Sequence, residues 1–294
     1  MTIPESQLET WSNQGAIVTS QKTHRSIRTA LSSFNWSSAG VVYNDYLQGS
    51  YRNSTNIRGD SDVDLVIELT STMYSNLTAE ENVTLGIEPT DYGWQNFRQD
   101  VISVLTHYYG AEYIDTSASK SIKVLPNSGR LKADVVVCAK YCHYSDLRLV
   151  GEGMTFWTIP GWQQIINYPK LHYSNGATKN SQQHTRGWYK PVIRMFKNAR
   201  NRILIQNPHL SNRFPSYFIE CLLYNVHNRY FGRTYQDTYV SVVNWLDEQF
   251  TNNNVAEFVS QNKMHYLFGE YITQWSVSDA KEYTNQLSTL WNNW

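Results

Sequence analysis

Apolar residues recur at steps of three and four in two segments of the N-terminal half, and this is the spacing of one helix face. The first segment, residues 21–34, predicts an early amphipathic helix. The second, residues 94–109, predicts a helix that faces the core, with repeated apolar positions at Phe97, Val101 and Leu105. Helices are therefore expected early in the chain.

Strand patterns alternate with these helices. Residues 40–46 predict one strand. Residues 63–69 predict a second, because they alternate polar and apolar residues before the segment becomes wholly apolar. The two strands are expected to pair like a hairpin. Residues 119–125 and 131–139 flank the turn sequence PNSG and predict two further strands. The run 131–139 is apolar enough to be a central strand of its sheet.

The pattern becomes mostly helical after about residue 150. Helices are predicted at residues 188–205, 216–229, 237–250 and 279–291. Pro191 suits the first turn of its helix, so that helix is expected to begin at about Lys190. The chain therefore predicts a protein that is α/β in its first half and helical in its second.

Length and charge narrow the classes of protein. The 294 residues exceed one typical domain of about 100–200 residues. The 25 basic and 25 acidic residues give zero formal net charge, which argues against a protein that mainly coats duplex nucleic acid or an anionic membrane. Three cysteines favour a reducing, cytoplasmic compartment over a disulfide framework. The N-terminus lacks a signal-peptide pattern, and no run of about 18 apolar residues predicts a membrane span.

Three features point to phosphate and metal chemistry, and the first interrupts the strand pattern after residue 46. Gln48, Gly49 and Ser50 stand there. A glycine lets backbone amides approach a phosphate, and a serine hydroxyl can donate to one. A Gly-Ser pair by itself is more typical of an ordinary turn.

The second feature is the sequence Asp62-Val63-Asp64 at the start of a predicted strand. The period of two in a strand points both carboxylates to the same face. Their mutual repulsion costs stability without a cation, whereas Mg²⁺ takes oxygen ligands from one or two carboxylates. An exposed acidic strand edge is the alternative interpretation.

The third feature is Asp134, the one acid inside the apolar run 131–137. A charge in such a strand needs a partner. A metal shared with the two earlier acids would satisfy it, and its carboxylate would also help to take a proton from an attacking oxygen. A salt bridge to Lys123 or Lys132 is the alternative.

Together, a Gly-Ser turn, an Asp-x-Asp strand and a later Asp on a neighbouring strand resemble the active-site signature of polymerase-β-type nucleotidyltransferases. The segment GSYRNSTNIRGDSDVDLV, residues 49–66, is similar to the bacterial cGAS/DncV-like nucleotidyltransferases (CD-NTases), and we compare it with their E clade, the CdnE-like proteins. NYPKLH at 167–172 resembles the lid of that family, VIRMFK at 192–197 its basic helix, and PSYFIE at 215–220 the start of its following helix. The resemblance spans residues 40–225.

The resemblance implies an α+β fold with a polymerase-β-type core, a mixed and twisted β-sheet with helices, followed by a C-terminal helical bundle. The core with its N-terminal helix is expected in residues 1–150, the helical domain that completes the nucleotide pocket in residues 151–294, and the active site in the cleft between them. Asp62, Asp64 and Asp134 are expected to be catalytic and to hold two Mg²⁺ ions, for which Mn²⁺ is a substitute. The implied nucleotide-binding residues are Gln48, Gly49, Ser50, Asn167, Arg194, Lys197, Ser216 and Tyr217.

Three of these nucleotide-binding residues also have a reading from physical chemistry. Arg194 and Lys197 lie three apart on one helix face, opposite an apolar stripe, so they either reach a triphosphate together or form an ordinary solvated face. Ser216 follows Pro215 at a helix start. There it caps the helix, presents its hydroxyl and the free amides to a phosphate, or does both.

The remaining binding residues concern the nucleobase. Tyr217 by itself is typical of a core position, and the family resemblance makes it a residue that stacks on a base. Asn167 and Asn175 lie in the lid region, where an amide side chain can both donate to and accept from a base edge. By resemblance to the E clade, an asparagine in the lid implies that a pyrimidine such as uracil is accepted.

The implied activity joins nucleoside triphosphates into a cyclic di- or trinucleotide messenger with release of pyrophosphate, and a downstream effector senses the product in antiphage (CBASS) signalling. Two other classes stay open: transfer of a nucleotide to a small acceptor such as an antibiotic, and a nucleotide-binding regulator without catalysis. Cys138, Cys142 and His143 form no four-ligand zinc set. Together with zero net charge, this implies activation that does not need bound duplex DNA. No stable nucleic-acid or membrane partner is expected, and a monomer is the default expectation. Base choice, ring size and linkage are left open by the residues.

Overall fold

The computed structural model describes residues 2–15, 17–58, 62–271 and 273–294, so residues 59–61 of the segment 49–66 lie outside the described residues. The chain packs into two compact units. The sheet unit consists of Ala16–Arg52 and Ser61–Lys170, and the helical unit of Met1–Gly15, Asn53–Asp60 and Leu171–Trp294. These units differ from the predicted ranges 1–150 and 151–294 because two short N-terminal segments pack with the C-terminal helices.

The described residues form ten α-helices and one seven-stranded sheet. The helices are α1 (Glu5–Ser12), α2 (Val18–Ser32), α3 (Gly49–Asn53), α4 (Ala79–Thr84), α5 (Trp94–Tyr109), α6 (Pro169–Asn180), α7 (Tyr189–Gln206), α8 (Ser216–Asn225), α9 (Tyr235–Thr251) and α10 (Val277–Asn292). The strands are β1 (Tyr43–Leu47), β2 (Val63–Ser75), β3 (Ile114–Asp115), β4 (Ile122–Val124), β5 (Ala133–Ser145), β6 (Arg148–Trp157) and β7 (Gln164–Asn167). The predicted α+β class is confirmed.

The sheet is mixed and is organised around β5. One path of strands runs β1-β2-β5-β4-β3, and β6 pairs with the later part of β5 and with β7. The pairing of β2 with β5 is parallel, whereas the other pairings are antiparallel. The central position predicted for the run 131–139 is therefore confirmed, as is the pairing of the first two strands.

Burial of apolar side chains holds the sheet unit together. The inner part of β2 is fully buried, and α2 and α5 add core residues such as Leu31 and Phe97. Each such side chain contributes on the order of 1.5–3 kcal/mol when it leaves water. Trp94 at the start of α5 also donates its indole N–H to the carbonyl of Val137 on β5 at 2.7 Å. The helix is thereby fixed against the strand that carries Asp134.

The predicted element boundaries hold well for helices and less well for strands. Helix α5 begins and ends at the predicted residues, whereas α2 begins at Val18 and β1 only at Tyr43. The expectation of a mainly helical chain after about residue 150 is wrong for β6 and β7. The first half of β6 is exposed, including the apolar residues Leu149 and Val150, so its strand conformation comes from pairing with β5 and not from burial of one face.

The helical unit has its own core, to which α1 and α7–α10 contribute. The four helices predicted for this part are confirmed, and α7 begins at Tyr189, next to the expected start. Helix α8 is shorter than predicted because Val226 turns to an extended conformation and ends it. Helix α1 was not predicted, and Leu8 is the fully buried apolar residue of that helix.

None of the described helices combines the length and the apolar composition that crossing a bilayer requires.

Candidate active site

Two of the predicted catalytic acids lie side by side in the sheet unit. Asp64 on β2 and Asp134 on β5 are direct partners in the parallel ladder. Partners in register on adjacent strands point to the same face of a sheet, so the two carboxylates share one face. The arrangement that the sequence predicted for these two strands is the one observed.

Asp62 precedes β2 and makes an ion pair with Lys132, where Asp62 Oδ2 lies 2.6 Å from Lys132 Nζ. The hydrogen bond that Lys132 donates to Asp62 raises the pKa of Lys132, and the negative charges of Asp134 and Asp64 raise it further. All three acids therefore act on one ammonium group. Among the described residues, no group of three or more His, Cys, Asp or Glu side chains is arranged so that it could hold a metal ion.

One carboxylate oxygen of Asp134 is buried. Its Oδ1 is inaccessible to solvent and has no hydrogen-bond partner among the described residues. Of the two lysines considered as alternative partners, Lys123 pairs with Asp115 at 3.3 Å, and Lys132 pairs with Asp62 at 2.6 Å while the charge of Asp134 also acts on it. A buried anionic oxygen without a partner is costly. A hard divalent cation fits such oxygens, so the donor set suits Mg²⁺ or Mn²⁺.

Gly49 approaches the carboxylate of Asp64 closely. It begins α3 with a φ of +64°, a conformation that glycine adopts readily. A Cβ atom at this position would lie only 2.3 Å from Asp64 Oδ2. No larger residue fits here without displacing the acid, so a Gly-Ser turn of this shape is specific to the site.

Gln48 and Ser50 flank this glycine. The backbone N–H of Gln48 donates to the carbonyl of Asp64 at 2.8 Å, so the turn is attached directly to β2. The side-chain Oε1 of Gln48 is buried and has no hydrogen-bond partner among the described residues. Ser50 is half-buried within α3. The roles of both residues in nucleotide binding stay predictions.

Asn167 shares the sheet face of the two acids. It ends β7 and pairs with Met154 of β6, which in turn pairs with Lys140 of β5. Lys140 lies six residues after Asp134 on the same strand, an even separation. Because directly opposed residues point the same way and side chains alternate along a strand, Asn167 and Asp134 lie on one face. Asn175, on α6, instead donates its side-chain N–H to the carbonyl of Gln261 at 2.8 Å within the helical unit.

Arg194 and Lys197 are buried, and the expectation of a solvated face on α7 is wrong. Lys197 Nζ lies 2.6 Å from Glu220 Oε1 and donates to the carbonyl of Thr55 at 3.1 Å. Arg194 donates to the backbone carbonyl of Ser12 at 2.6 Å. The backbone carbonyls of Ser12, Ser54 and Thr55 accept hydrogen bonds from this face of α7, and helical periodicity cannot reveal such contacts. Contact of these two cations with a triphosphate stays a prediction.

Glu220 is the anion that compensates Lys197. Burial opposes its ionisation, but Lys197 and His172 together hold the pKa of Glu220 below its ordinary value. His172 Nε2 lies 3.1 Å from Glu220 Oε2. A helix position that the sequence made a candidate for phosphate is therefore part of a compensated buried network in the helical unit.

Ser216 and Tyr217 begin α8. Pro215 occupies the N-cap, and Arg200 donates a hydrogen bond to Ser216 Oγ at 3.2 Å. Ser216 is thus the first helical residue and not the side-chain cap. Tyr217 is 43% exposed, so its interpretation as a core residue is wrong. Its ring lies 5.1 Å from that of His172 and 5.6 Å from that of Trp275.

One polar residue of the sheet unit was not singled out from the sequence. Glu68 is buried on β2, whereas Lys132, named as an alternative partner of Asp134, interacts with all three aspartates. The signal for Glu68 was present, because it is one acid within an otherwise apolar strand. The same signal identified Asp134, and applying it to both strands finds both residues.

Three features together define a nucleotidyltransferase architecture. They are two paired strands that each carry an aspartate, a glycine turn against one of these strands, and a helical C-terminal part. Residues 174–292 match the model of the cGAS/DncV-like nucleotidyltransferase C-terminal helical domain. The cyclic UMP-AMP synthase of Rhodothermus marinus is 48% identical over 100% of this chain and 99% of its own length. The cyclic nucleotide synthase CdnE01 of Staphylococcus haemolyticus is 34% identical over the whole length of both chains. The chain belongs to the cGAS/DncV-like nucleotidyltransferases.

Solved structures agree with this assignment. The Rhodothermus marinus CdnE c-UMP-AMP synthase with Apcpp and Upnpp superposes with a TM-score of 0.90 at 47% identity, covering 99% of this chain and 97% of that one. The Elizabethkingia meningoseptica CdnE cyclic dinucleotide synthase with GTP and Apcpp gives a TM-score of 0.79 at 29% identity and covers 98% of each chain. The predicted family, fold and enzyme class are confirmed. The chain is a nucleotidyltransferase of the cyclic nucleotide synthases, a family that generally needs a divalent metal.

Proposed function

We propose that the protein binds two nucleoside triphosphates, one of them a pyrimidine nucleotide, and closes them into a cyclic dinucleotide. The observation that carries the proposal is the parallel register of Asp64 with Asp134, with a buried and unpartnered oxygen on Asp134. The name of the Rhodothermus relative, a cyclic UMP-AMP synthase, supports uridine and adenosine as the two nucleosides. A cyclic trinucleotide is the alternative product.

Asp62, Asp64 and Asp134 would hold two Mg²⁺ ions, and Mn²⁺ is the expected substitute. Bound there, the cations stabilise negative charge on the attacking and departing oxygens of an in-line displacement. The observation that favours this set is electrostatic. Two in-register carboxylates and a third that acts on the same lysine concentrate negative charge in one place, and a divalent cation would offset their mutual repulsion.

The bond changes follow from the substrates. A ribose hydroxyl of one nucleotide attacks the α-phosphorus of the other, so a P–O bond forms and the bond to the β-phosphate oxygen breaks. Pyrophosphate leaves with the electron pair. The hydroxyl proton passes to a carboxylate, for which Asp134 is favoured because its Oδ1 accepts no hydrogen bond from a described residue. The linear intermediate then turns over and closes by the same chemistry.

Selection of the base is assigned to Asn167. Its amide shares the sheet face of the acids, as the strand registers require. An amide of this kind can both donate to and accept from the edge of uracil. Tyr217, exposed and supported by two neighbouring rings, supplies a surface on which a base can stack.

The cyclic product is expected to act in antiphage signalling by activating a downstream effector. We place the enzyme in the cytoplasm and as a monomer. Its three cysteines, all free and buried, support a reducing compartment.

The test uses purified protein with Mg²⁺ and each combination of labelled ATP, GTP, CTP and UTP. After phosphatase treatment, a resistant labelled product is expected, and its mass identifies ring size and bases. Mn²⁺ in place of Mg²⁺ should support the reaction, and a chelator should stop it. The variant Asp62→Asn should make no resistant product.

Two results would overturn this proposal. Label that becomes resistant only when a sugar or an antibiotic acceptor is supplied would indicate transfer to a small molecule. A protein that binds triphosphates without any release of pyrophosphate would indicate a non-catalytic regulator.

A further inference from the structure

Glu68 is a buried acid that the proposed chemistry does not use. It lies on β2, four residues beyond Asp64, and its side chain is 1% exposed. Lys170 Nζ lies 2.7 Å from its Oε2 and donates a hydrogen bond to its Oε1 at 3.0 Å. A carboxylate at this depth requires a compensating charge. Lys170 is therefore the counter-ion of Glu68.

The ion pair of Lys170 fixes the segment that follows Asn167 in the chain. It is the second residue of α6 and stands three residues after the asparagine. Its ammonium also lies 5.6 Å from the ring centroid of Tyr46 on β1, within the range of a cation–π contact. The ion pair thus ties the end of β7 and the start of α6 to the strand that carries Asp64.

Gly153 constrains the same segment from the neighbouring strand. A Cβ atom at this glycine would lie 2.6 Å from the carbonyl oxygen of Asn167 and 2.9 Å from the ring of Tyr168. The ladder between β6 and β7 therefore brings the backbone of Asn167 against a position that has no room for a side chain. Gly153 on one side of Asn167 and the ion pair of Lys170 on the other constrain the backbone that carries the amide of Asn167.

We propose that Glu68 and Lys170 form a positioning pair that sets base selectivity by fixing Asn167 relative to the catalytic strand. The inference rests on the proposed function, because it assigns the source of selectivity within that site. Neither residue needs to touch the base. Small displacements of a contacting group are enough, since a shift of 1 Å can change a rate about a hundredfold.

The competing role for Lys170 is direct contact with a triphosphate, because its side chain is 40% exposed. The two roles differ in what they change. A phosphate ligand affects every triphosphate alike and acts mainly on KM. A positioning residue changes the ratio between bases.

The experiment compares four variants in a competition assay with equal ATP, GTP, CTP and UTP, and follows unfolding in urea. Lys170→Met should lower both stability and base selectivity, because it leaves Glu68 buried without a counter-ion. The double variant Glu68→Leu/Lys170→Met removes both charges, so it should regain stability while its base selectivity stays roughly tenfold below that of the parent. Lys170→Arg keeps the charge and should keep the selectivity.

Lys140→Met is the matched control. Lys140 pairs with Glu152 at 3.1 Å on the same sheet, but that carboxylate is 47% exposed, so losing this ion pair should leave the base ratio unchanged. A stable double variant with parental selectivity would overturn the proposal, as would a uniform rise in KM for all four triphosphates. Failure of the proposed function looks different: the parent itself would make no resistant product. Binding of non-hydrolysable UTP and ATP analogues would then still measure the base preference of each variant.

Discussion

Acidic side chains have different electrostatic surroundings in the two units of this protein. In the sheet unit, Asp64 and Asp134 stand side by side with like charge, and one oxygen of Asp134 has no partner among the described residues. In the helical unit, Glu220 is buried between Lys197 at 2.6 Å and His172 at 3.1 Å. The acids of the sheet unit share the single ammonium group of Lys132, whereas Glu220 has two basic partners of its own.

This difference in surroundings distinguishes acids that serve function from acids that serve stability. A buried carboxylate that the chain supplies with cations is costly to disturb, because removing one partner leaves a charge without compensation. Carboxylates that lie side by side with like charge repel each other and lower stability, and such groups occur mainly at sites that bind or react. The same residue type should therefore respond in opposite ways to substitution in the two places.

The largest expected effect is the loss of activity in Asp64→Asn. Nucleotidyl transfer should fall by on the order of a thousandfold or more, since a group that acts as part of a catalytic set is not replaceable by the others. Pyrophosphate release measures this loss. The free energy of unfolding should stay equal or rise, because repulsion with Asp134 is removed. A fall in stability of several kcal/mol would contradict the comparison.

Lys197→Met should have the largest effect on stability. The substitution leaves Glu220 buried without its ammonium partner and should cost about 3–5 kcal/mol. Urea unfolding measures the change. Lys123→Met is a control that removes an ion pair with partly exposed partners, and it should cost no more than about 1 kcal/mol. Equal losses in the two variants would mean that burial does not distinguish them.

Gly49→Ala should damage activity more than stability. The added methyl group would lie 2.3 Å from Asp64 Oδ2, so the carboxylate has to move. A displacement of this size should lower turnover about a hundredfold. Gly40→Ala is the matched control, since Gly40 also has a positive φ but has no atom within 4 Å of its would-be Cβ. The control carries the same backbone strain and should keep its turnover.

The smallest predicted effect is a pH dependence from Glu220. Its pKa in the folded protein is lowered below the ordinary 4.5, because Lys197 and His172 outweigh burial. The stabilisation is therefore present above about pH 4.5 and is lost as the pH falls through the lower folded value. Unfolding of the parent and of Glu220→Gln at a series of pH values should show a difference that shrinks towards acid.

The fold could be predicted where local pattern and tertiary packing agree. Helix α5 buries one regular apolar stripe, and its boundaries were read correctly. Strands β6 and β7 could not be predicted, because β6 is exposed over its first half and owes its conformation to pairing with β5. Pairing between distant segments leaves little trace in the sequence of one strand.

The candidate site shows the same limit. Alternation along the predicted strand placed Asp62 and Asp64 on one face, and the resemblance to the family added Asp134 on a neighbouring strand. The observed register pairs Asp64 directly with Asp134. The environment of Lys197 could not be predicted, because residues more than a hundred positions earlier in the chain cover its helix. Burial of a polar helix face depends on such non-local packing.

The parallel pairing of β2 with β5 also indicates where the chain tolerates engineering. A deletion of one residue within either strand would turn its aspartate to the opposite side. The connection between them is less constrained around α4, which has no buried residues and is closed at its start by a reciprocal capping box. Peptide tags or fluorophores inserted beside that helix should be accommodated without disturbing catalysis, and they would give a reporter built into the enzyme.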